Sequence, residues 1–410
     1  MPDISSLNVL LHGEPVGVLT FLPGEQTIFS FSQSYIDHAS QPVLSLSFKD
    51  YFGRLITDLK PTRMQLPPFF SNLLPEGHLR DYLAKQAGVN PKREFFLLWV
   101  LGHDLPGAIT VAPSDRKSWP PKIASDVQVS HKDVLRFSLA GVQMKLSAVT
   151  EAKGGLTIPA EGVGGSWIVK LPSSLFADVP ENEYSMMTLA RSIGMDIPET
   201  RLVDLAKISG LPKNMGQVHG QALAIRRFDR TDKGPVHMED FAQVFGVYPD
   251  DKYKKASYKN IAEVLWQETG PEGIVEFIRR LVFNTLIGNA DMHLKNFSLL
   301  YPDRRHAKLS PGYDFVSTIS YINDENMALK LVKSKRMAEL SLEQLSYLAS
   351  KAGLPEKLML DTAKETVHRF RQVWKSERKH LPLSTRSVRL IEKNVQAVKL
   401  TREVRSSRSI

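Results

Sequence analysis

Two hydrophobic rhythms alternate along the chain. Over residues 1–60, short runs of alternating apolar residues (LNVLLHG, EPVGVLTFLP, TIFSFS and PVLSLSF) are separated by turn residues and predict a small antiparallel sheet. Over 68–102 the spacing becomes helical. LPEGHLRDYLAKQAG reads as a helix, with Gly88 following its last apolar residue as a C-terminal cap. The segment APSDRKSWPPKIASD at 112–126 is rich in Pro, Ser and charge and marks a first boundary.

From about 133 the β-like pattern returns. RFSLAGVQMKLSAV (136–149) and SWIVKLP (166–172) read as strands on either side of a Gly-rich segment at 154–165. A helix is predicted over 181–193, with Met186, Leu189, Ala190 and Ile193 as its apolar stripe and Gly194 closing it. RLVDLAKI and QALAIRRF predict two more strands, and from about 239 the sequence is mainly helical. Ile274, Phe277, Ile278, Leu281, Val282 and Thr285 carry the stripe of a buried amphipathic helix that Gly288 stops. Phe297 to Tyr301 then reads as a short strand. A turn at Pro302-Asp303-Arg304 returns the chain through Ala307-Lys308-Leu309 to an acidic loop at Asp314. No internal repeat is present.

Composition narrows the class. The 410 residues suffice for two or three domains with sizeable cores, and 42% hydrophobic with 24% charged residues is ordinary for a soluble globular protein. Residues 1–20 mix Asp, His and Glu with apolar residues, so no signal peptide is expected. The densest apolar run, FFLLWVLG at 95–102, is too short to cross a bilayer, so no membrane partner is expected. The absence of cysteine excludes disulfides, thiolate metal sites and cysteine nucleophiles, and suits a reducing, cytoplasmic setting. A net charge of +9 raises the question of nucleic acid. The basic residues are scattered, however. KYKKASYK at 252–259 and the tail from Lys399 to Arg408 are the exceptions, and each reads as a solvated face.

The candidate chemistry lies in GNADMHLKN at 288–296 and SPGYD at 310–314. An Asp at 291, an Asn five residues on at 296, and a second Asp at 314 match the order and spacing of a base and two magnesium ligands in phosphoryl-transfer centres. A lone D-x4-N pair is common in surface turns. The long helix before this one and the acidic loop after it favour function. Asp291 is then placed to accept or orient the proton of an attacking hydroxyl, and Lys295 to neutralise charge on the transferring phosphoryl. His293 lies between them in the same loop. Asn296 and Asp314 offer oxygen ligands for Mg²⁺ against triphosphate oxygens.

The nucleotide side has its own candidates. Lys170 sits in the apolar strand WIVKLP, where an ammonium is costly without a counter-charge. Glu183, thirteen residues on, shares the inward face of the following helix, so the two are natural partners that would fix Lys170 against the α/β-phosphates of ATP. The bland alternative is a snorkelling lysine and a first-turn glutamate. SLAGVQMK at 138–145 has neither a Walker A nor a G-x-G-x-x-G pattern. Its Ser138, Gly141, Gln143 and Lys145 are still the candidate phosphate-covering set. Arg226, Arg227 and Phe228 follow a strand where an interlobe hinge is expected, placing their backbone and the Phe228 ring near adenine. The expected fold is therefore α+β: a bilobal protein-kinase-like fold with an N-terminal β-rich subdomain at 1–111, a linker at 112–132, an N-lobe at 133–232 and a mainly helical C-lobe at 233–410.

In their order, NLLPEGHLRDYLAK, SLAGVQMKLSA, WIVKLP, ENEYSMMTLA, RRFDR, EDFAQVFG, GNADMHLKNFSLL and SPGYDFVS resemble the HipA family of bacterial toxin kinases, over most of the chain. The resemblance implies a serine/threonine protein kinase that uses ATP and Mg²⁺. In it Asp291 is the base, Asn296 and Asp314 are the magnesium ligands, and Lys170 is the ATP lysine. It implies that Ser138 is autophosphorylated, which ejects the loop and silences the enzyme. It further implies a HipB-like helix-turn-helix antitoxin that binds operator DNA, a protein substrate of the aminoacyl-tRNA synthetase class, growth arrest and drug tolerance. Two positions depart from the family pattern: Met144 replaces an acidic residue of the loop, and Arg226 stands where a Glu often precedes RFDR. The alternatives are a small-molecule phosphotransferase of aminoglycoside-kinase type and a weakly catalytic corepressor acting with a DNA-binding antitoxin. A metal hydrolase built on Asp291-x-His293 is disfavoured, because no second His cluster accompanies it.

Overall fold

The computed structural model describes residues 5–114, 145–150, 156–158, 165–173, 175–211 and 220–406. Strands β1 (Ser6–Leu11), β2 (Glu14–Leu22) and β3 (Gln26–Phe31) form the antiparallel meander that the alternation predicts. Leu7, Val9 and Leu11 point into the core, and their neighbours face outward. PVLSLSF is not a fourth strand. Ser45 caps a single 3₁₀ turn, Leu46–Phe48, which buries Leu44 and Phe48 while keeping backbone donors for a neighbouring element. After helix α1 (Gln33–Ile36) and the two-residue strand β4 (Thr62–Arg63), helices α2 (Pro68–Ser71), α3 (Gly77–Gln86) and α4 (Glu94–Leu101) cover the sheet. Gly88, at φ +66°, follows α3 as expected. Strand β5 (Ile109–Pro113) returns to pair with β1, giving the order β4-β3-β2-β1-β5. That long-range pairing is invisible to local patterning.

A second sheet holds β6 (Lys145–Thr150), β7 (Leu156–Thr157), β8 (Trp167–Lys170), β9 (Thr200–Asp204), β10 (Ile208–Ser209) and β11 (Gln221–Arg226), in the order β10-β7-β6-β8-β11-β9. Helix α5 (Val179–Ser192) packs on it through Met186, Leu189 and Ala190, all fully buried. It starts two residues before the expected boundary.

The second half does not turn helical at once. After a small hairpin of β12 (Arg230–Thr231) and β13 (Gly234–Pro235), strand β14 (His237–Asp240) pairs with β15 (Ser298–Tyr301), which pairs with β16 (Lys308–Leu309). Helix α6 (Phe241–Val244) starts directly from β14 through a capping box of Asp240 and Gln243. Helix α7 (Tyr258–Ile287) is interrupted at Gly270, whose φ/ψ of 64°/−152° lies outside the helical region, just before Pro271. Its second half presents Ile274, Phe277, Ile278, Leu281, Val282 and Thr285 to the core, as their spacing requires. It ends at Gly288, φ +70°. A Cβ there would meet Ile319 Cδ1 at 2.4 Å, so conformation and space both demand glycine. Helices α8 (Leu342–Ala352), α9 (Glu356–Glu377), α10 (Thr385–Ala397) and α11 (Lys399–Ser406) complete the helical lobe, with α8 and α9 packed against α7. None of the described helices is long and apolar enough to cross a membrane.

Candidate active site

A cavity of about 560 Å³ opens where the second sheet, the α7–β15 loop and the N-terminal subdomain meet. Lys145, Lys170, Glu183, Asp291, Asn296 and Asp314 line it, from five separate places in the sequence. Arg226, Phe228, His293 and Lys295 line it as well. Ser138, Gly141, Gln143 and Met144 lie outside the described residues.

On the sheet side, Lys170 ends β8, and its Nζ lies 2.5 Å from Glu183 Oε1 on α5, both side chains buried. The same ammonium pairs with the Asp314 carboxylate, while Lys145 reaches Asp314 Oδ2 at 3.3 Å. Burial works against the Lys170 charge, but Asp314 and Glu183 outweigh it and hold the ammonium above its ordinary pKa. Burial likewise pushes Asp314 toward protonation, and Lys145 and Lys170 overcome it, keeping the carboxylate well below the usual range. Burial raises the Glu183 pKa against the pull of Lys170. Asp314 adopts φ +57°, a left-handed backbone that Asp enters more readily than most non-glycine residues.

On the loop side, Gly288 turns the chain out of α7. Asn289 bridges the helix end to the loop, donating to Asn284 Oδ1 at 2.8 Å and accepting from the Asp291 backbone N–H at 3.0 Å. Asp291 Oδ1 accepts from the Tyr253 hydroxyl at 2.5 Å, which leaves Oδ2 for another partner. Burial raises the Asp291 pKa, with the Tyr253 hydrogen bond and the Lys252 charge opposing. Asn296 donates its amide to the Asp291 carbonyl at 2.7 Å, so its Oδ1 is the atom left for a cation. His293 is edge-on to Tyr253 and pushed down to about 3 by burial and then Lys252, so its ring is neutral. Its buried Nδ1 has no hydrogen-bond partner among the described residues.

Lys295 departs from the arrangement that its spacing suggested. Its ammonium lies 2.7 Å from Glu76 Oε1 and 4.0 Å from Asp240 Oδ2, and donates to the Asn72 carbonyl at 3.2 Å. It therefore reaches the cavity already neutralised. The basic run at 252–259 is not wholly a solvated face either. Lys252 is buried and pairs with Glu76 Oε2 at 2.5 Å.

Sequence spacing alone misses Glu76, Lys252 and Tyr253, because each reaches the site across domains or loops. The RRFDR segment divides between the cavity and a polar cluster. Arg226 is exposed and 3.7 Å from Glu199, and the Phe228 ring sits 5.7 Å from that of Tyr313. Arg227 instead joins a buried cluster with Asp229, Arg230 and Asp104 of the N-terminal subdomain. The alternating charges of Arg227, Asp229 and Arg230 beside an aromatic were the available signal.

The donor set suits a hard cation. Asn296 Oδ1 and the Asp314 carboxylate supply oxygen, and there is no thiolate in the chain. Lys145 and Lys170, both paired with Asp314, set two cations beside that donor set.

Comparison with known proteins places the chain in a family. Residues 7–112 match the family model described as the HipA N-terminal domain, and residues 137–374 match the HipA-like C-terminal domain. A Sinorhizobium fredii protein named "Putative kinase Y4dM" is 58% identical over 406 residues, covering 98% of this chain and 99% of its own. The "Serine/threonine-protein kinase toxin HipA" of Shewanella oneidensis is 25% identical over 349 residues, covering 76% of this chain and 77% of its own. Among solved structures, the Shewanella oneidensis MR-1 toxin–antitoxin complex of HipA, HipB and operator DNA contains a chain that superposes with a TM-score of 0.74 at 22% identity, covering 98% and 99% of the two chains. That likeness shows the fold: α+β, with a bilobal kinase-like layout and a β-rich N-terminal subdomain. The chain belongs to the HipA family of kinases.

Proposed function

We propose that the protein is an ATP-dependent serine/threonine protein kinase, the toxin of a type II toxin–antitoxin pair. It would transfer the γ-phosphate to a Ser or Thr of a host protein, arrest growth, and be neutralised by a HipB-like helix-turn-helix antitoxin that binds operator DNA. An aminoacyl-tRNA synthetase is the class of substrate in view. The observation that carries the reading is the convergence of the Lys170–Glu183 pair, Asp291, Asn296 and Asp314 on one cavity.

Lys170, kept charged by Glu183, binds phosphate oxygens, and Lys145 adds a second cation beside it. Asn296 Oδ1 and the Asp314 carboxylate would hold Mg²⁺, whose chemistry is to neutralise charge on the triphosphate and orient it. Asp291 Oδ2 orients the acceptor hydroxyl and receives its proton as the oxygen attacks the γ-phosphorus. The bond from that phosphorus to the β–γ bridging oxygen breaks, and ADP leaves. Tyr253 fixes the carboxylate rotamer, and Asn296 fixes the loop carbonyl beneath it. Ser138 is proposed as the self-modification site.

The test is incubation of purified protein with γ-labelled ATP and Mg²⁺, alone and with a bacterial lysate. Label is expected on wild type. It should fall by about 10²–10⁴-fold in Asp291→Ala and be reduced on the protein itself in Ser138→Ala. ATP binding with no label on any protein would sink the kinase reading. Label passing only to small-molecule acceptors would favour a small-molecule phosphotransferase instead.

A further inference from the structure

One carboxylate outside the kinase lobes touches two lysines of the catalytic region. Glu76, at the start of α3 in the N-terminal subdomain, lies 2.7 Å from Lys295 Nζ through Oε1 and 2.5 Å from Lys252 Nζ through Oε2. Both lysines are largely buried, and among the described residues neither has another carboxylate closer than the 4.0 Å of Asp240 from Lys295. Without Glu76 two ammoniums would face each other in a cavity wall, an arrangement that a buried site tolerates poorly.

What each lysine is attached to gives the contact its meaning. Lys295 adjoins Asn296 in the loop, and its carbonyl accepts from Tyr313, the residue before Asp314, at 2.9 Å. Lys252 adjoins Tyr253, whose hydroxyl holds Asp291 at 2.5 Å. Tyr258, further along the same segment, donates to the Met292 carbonyl at 2.9 Å. The two arms of Glu76 therefore reach the base through Lys252–Tyr253 and the cation-ligand loop through Lys295. Asn72, on the approach to α3, strengthens the link: its carbonyl accepts from Lys295 at 3.2 Å and its amide donates to Val247 O at 2.7 Å.

The geometry assigns Glu76 as a positioning residue for phosphoryl transfer, through which the N-terminal subdomain sets the catalytic loop and the turn that grips its base. The assignment rests on the kinase reading above. It also gives Lys295 a role distinct from touching the transferring phosphoryl: Lys295 is the loop's handle for Glu76. Phosphoryl transfer tolerates little misplacement of its base, and an error of about 1 Å costs about 10²-fold. Nucleotide affinity, set mainly by the Lys170–Glu183 side, should feel the loss of Glu76 far less.

The experiment uses the full chain with γ-labelled ATP and Mg²⁺ and follows labelling of the protein and of a bacterial lysate. Wild type is compared with Glu76→Gln, Glu76→Asp, Lys295→Gln and the Glu76→Gln/Lys295→Gln double variant. Glu76→Gln is expected to lower kcat by about 10- to 100-fold while KM for ATP stays within about two-fold, and Glu76→Asp to recover part of the loss. The double variant should be no slower than Glu76→Gln alone, because the two residues act through one contact. It also removes one of the two ammoniums that would otherwise face each other, leaving Lys252 alone, so it serves where Glu76→Gln does not fold. Wild-type labelling matched by Glu76→Gln, or single-variant losses that multiply in the double variant, would overturn this assignment alone. No labelling by wild type would overturn it together with the kinase reading.

Discussion

The proposed base, Asp291, is tuned by a residue that no motif contains. Burial holds its carboxyl above the ordinary range, and the Tyr253 hydrogen bond pulls it back. Removing that hydroxyl should raise the pKa further, so more of the enzyme carries a protonated, inactive base at a given acidic pH. In Tyr253→Phe the acid limb of the kcat/KM profile should accordingly move to higher pH. A limb that stays in place or moves down would show that Tyr253 does not act on the base. At the same scale, Lys170 and Glu183 illustrate what a sequence can show. An ammonium in an apolar strand demands a counter-charge, and the inward face of the next helix supplies one 2.5 Å away. Lys295 illustrates the opposite case. Its spacing from Asp291 suggested contact with phosphate, yet a glutamate from another domain holds it.

Among the elements, α7 and the loop after it were the most legible. Five apolar positions and Thr285 at helical spacing, with a terminal glycine, predict a buried helix that stops at Gly288, and that is how α7 ends. Gly288→Ala should destabilise the protein by at least about 1 kcal/mol, because alanine resists φ +70° and its Cβ would strike Ile319. A denaturant midpoint equal to that of wild type would contradict this. PVLSLSF shows why shorter patterns mislead. Its alternation is real, but Ser45 and the Leu46 N–H turn toward Glu239, which accepts from them at 2.6 and 3.0 Å, and a 3₁₀ turn meets that demand where a strand would not. Strand β14 was missed for a related reason. Its partner β15 lies beyond the whole of α7 in sequence.

At the scale of the molecule, the N-terminal subdomain is joined to the kinase lobes by buried polar groups, and these titrate. Glu239 accepts from Ser45, Leu46 and Tyr301, and burial pushes its carboxyl up to about 7. The folded protein then binds a proton there that the unfolded chain has released, so this contribution is largest below about pH 4.5 and declines as pH rises toward 7. His237, whose ring nitrogen lies 2.8 Å from the Leu44 carbonyl, has the opposite sign. Burial lowers it to about 4, so its contribution is present above 6.5 and is lost as pH falls toward 4. The two partly cancel in wild type. The gap in stability between wild type and Glu239→Gln should therefore shift steadily between pH 4.5 and 7, moving against wild type as pH rises. Thermal unfolding across that range would test it, and a gap independent of pH would mean that Glu239 does not titrate there.

The sequence by itself determined the features written in local chemistry. These are the alternation of β1 to β3, the stripe and stop of α7, the D-x4-N loop followed by a second Asp, and the buried lysine with its glutamate. Each is fixed by periodicity or by the cost of an unpaired charge, and each is read within a few dozen residues. Only the tertiary structure decided which distant groups meet: β5 with β1, Glu239 with Ser45, Asp104 with the RFDR cluster, and Glu76 with Lys252 and Lys295. Those pairings depend on how whole layers dock. Docking is set by burial summed over many side chains, which leaves no signature at the individual positions it brings together.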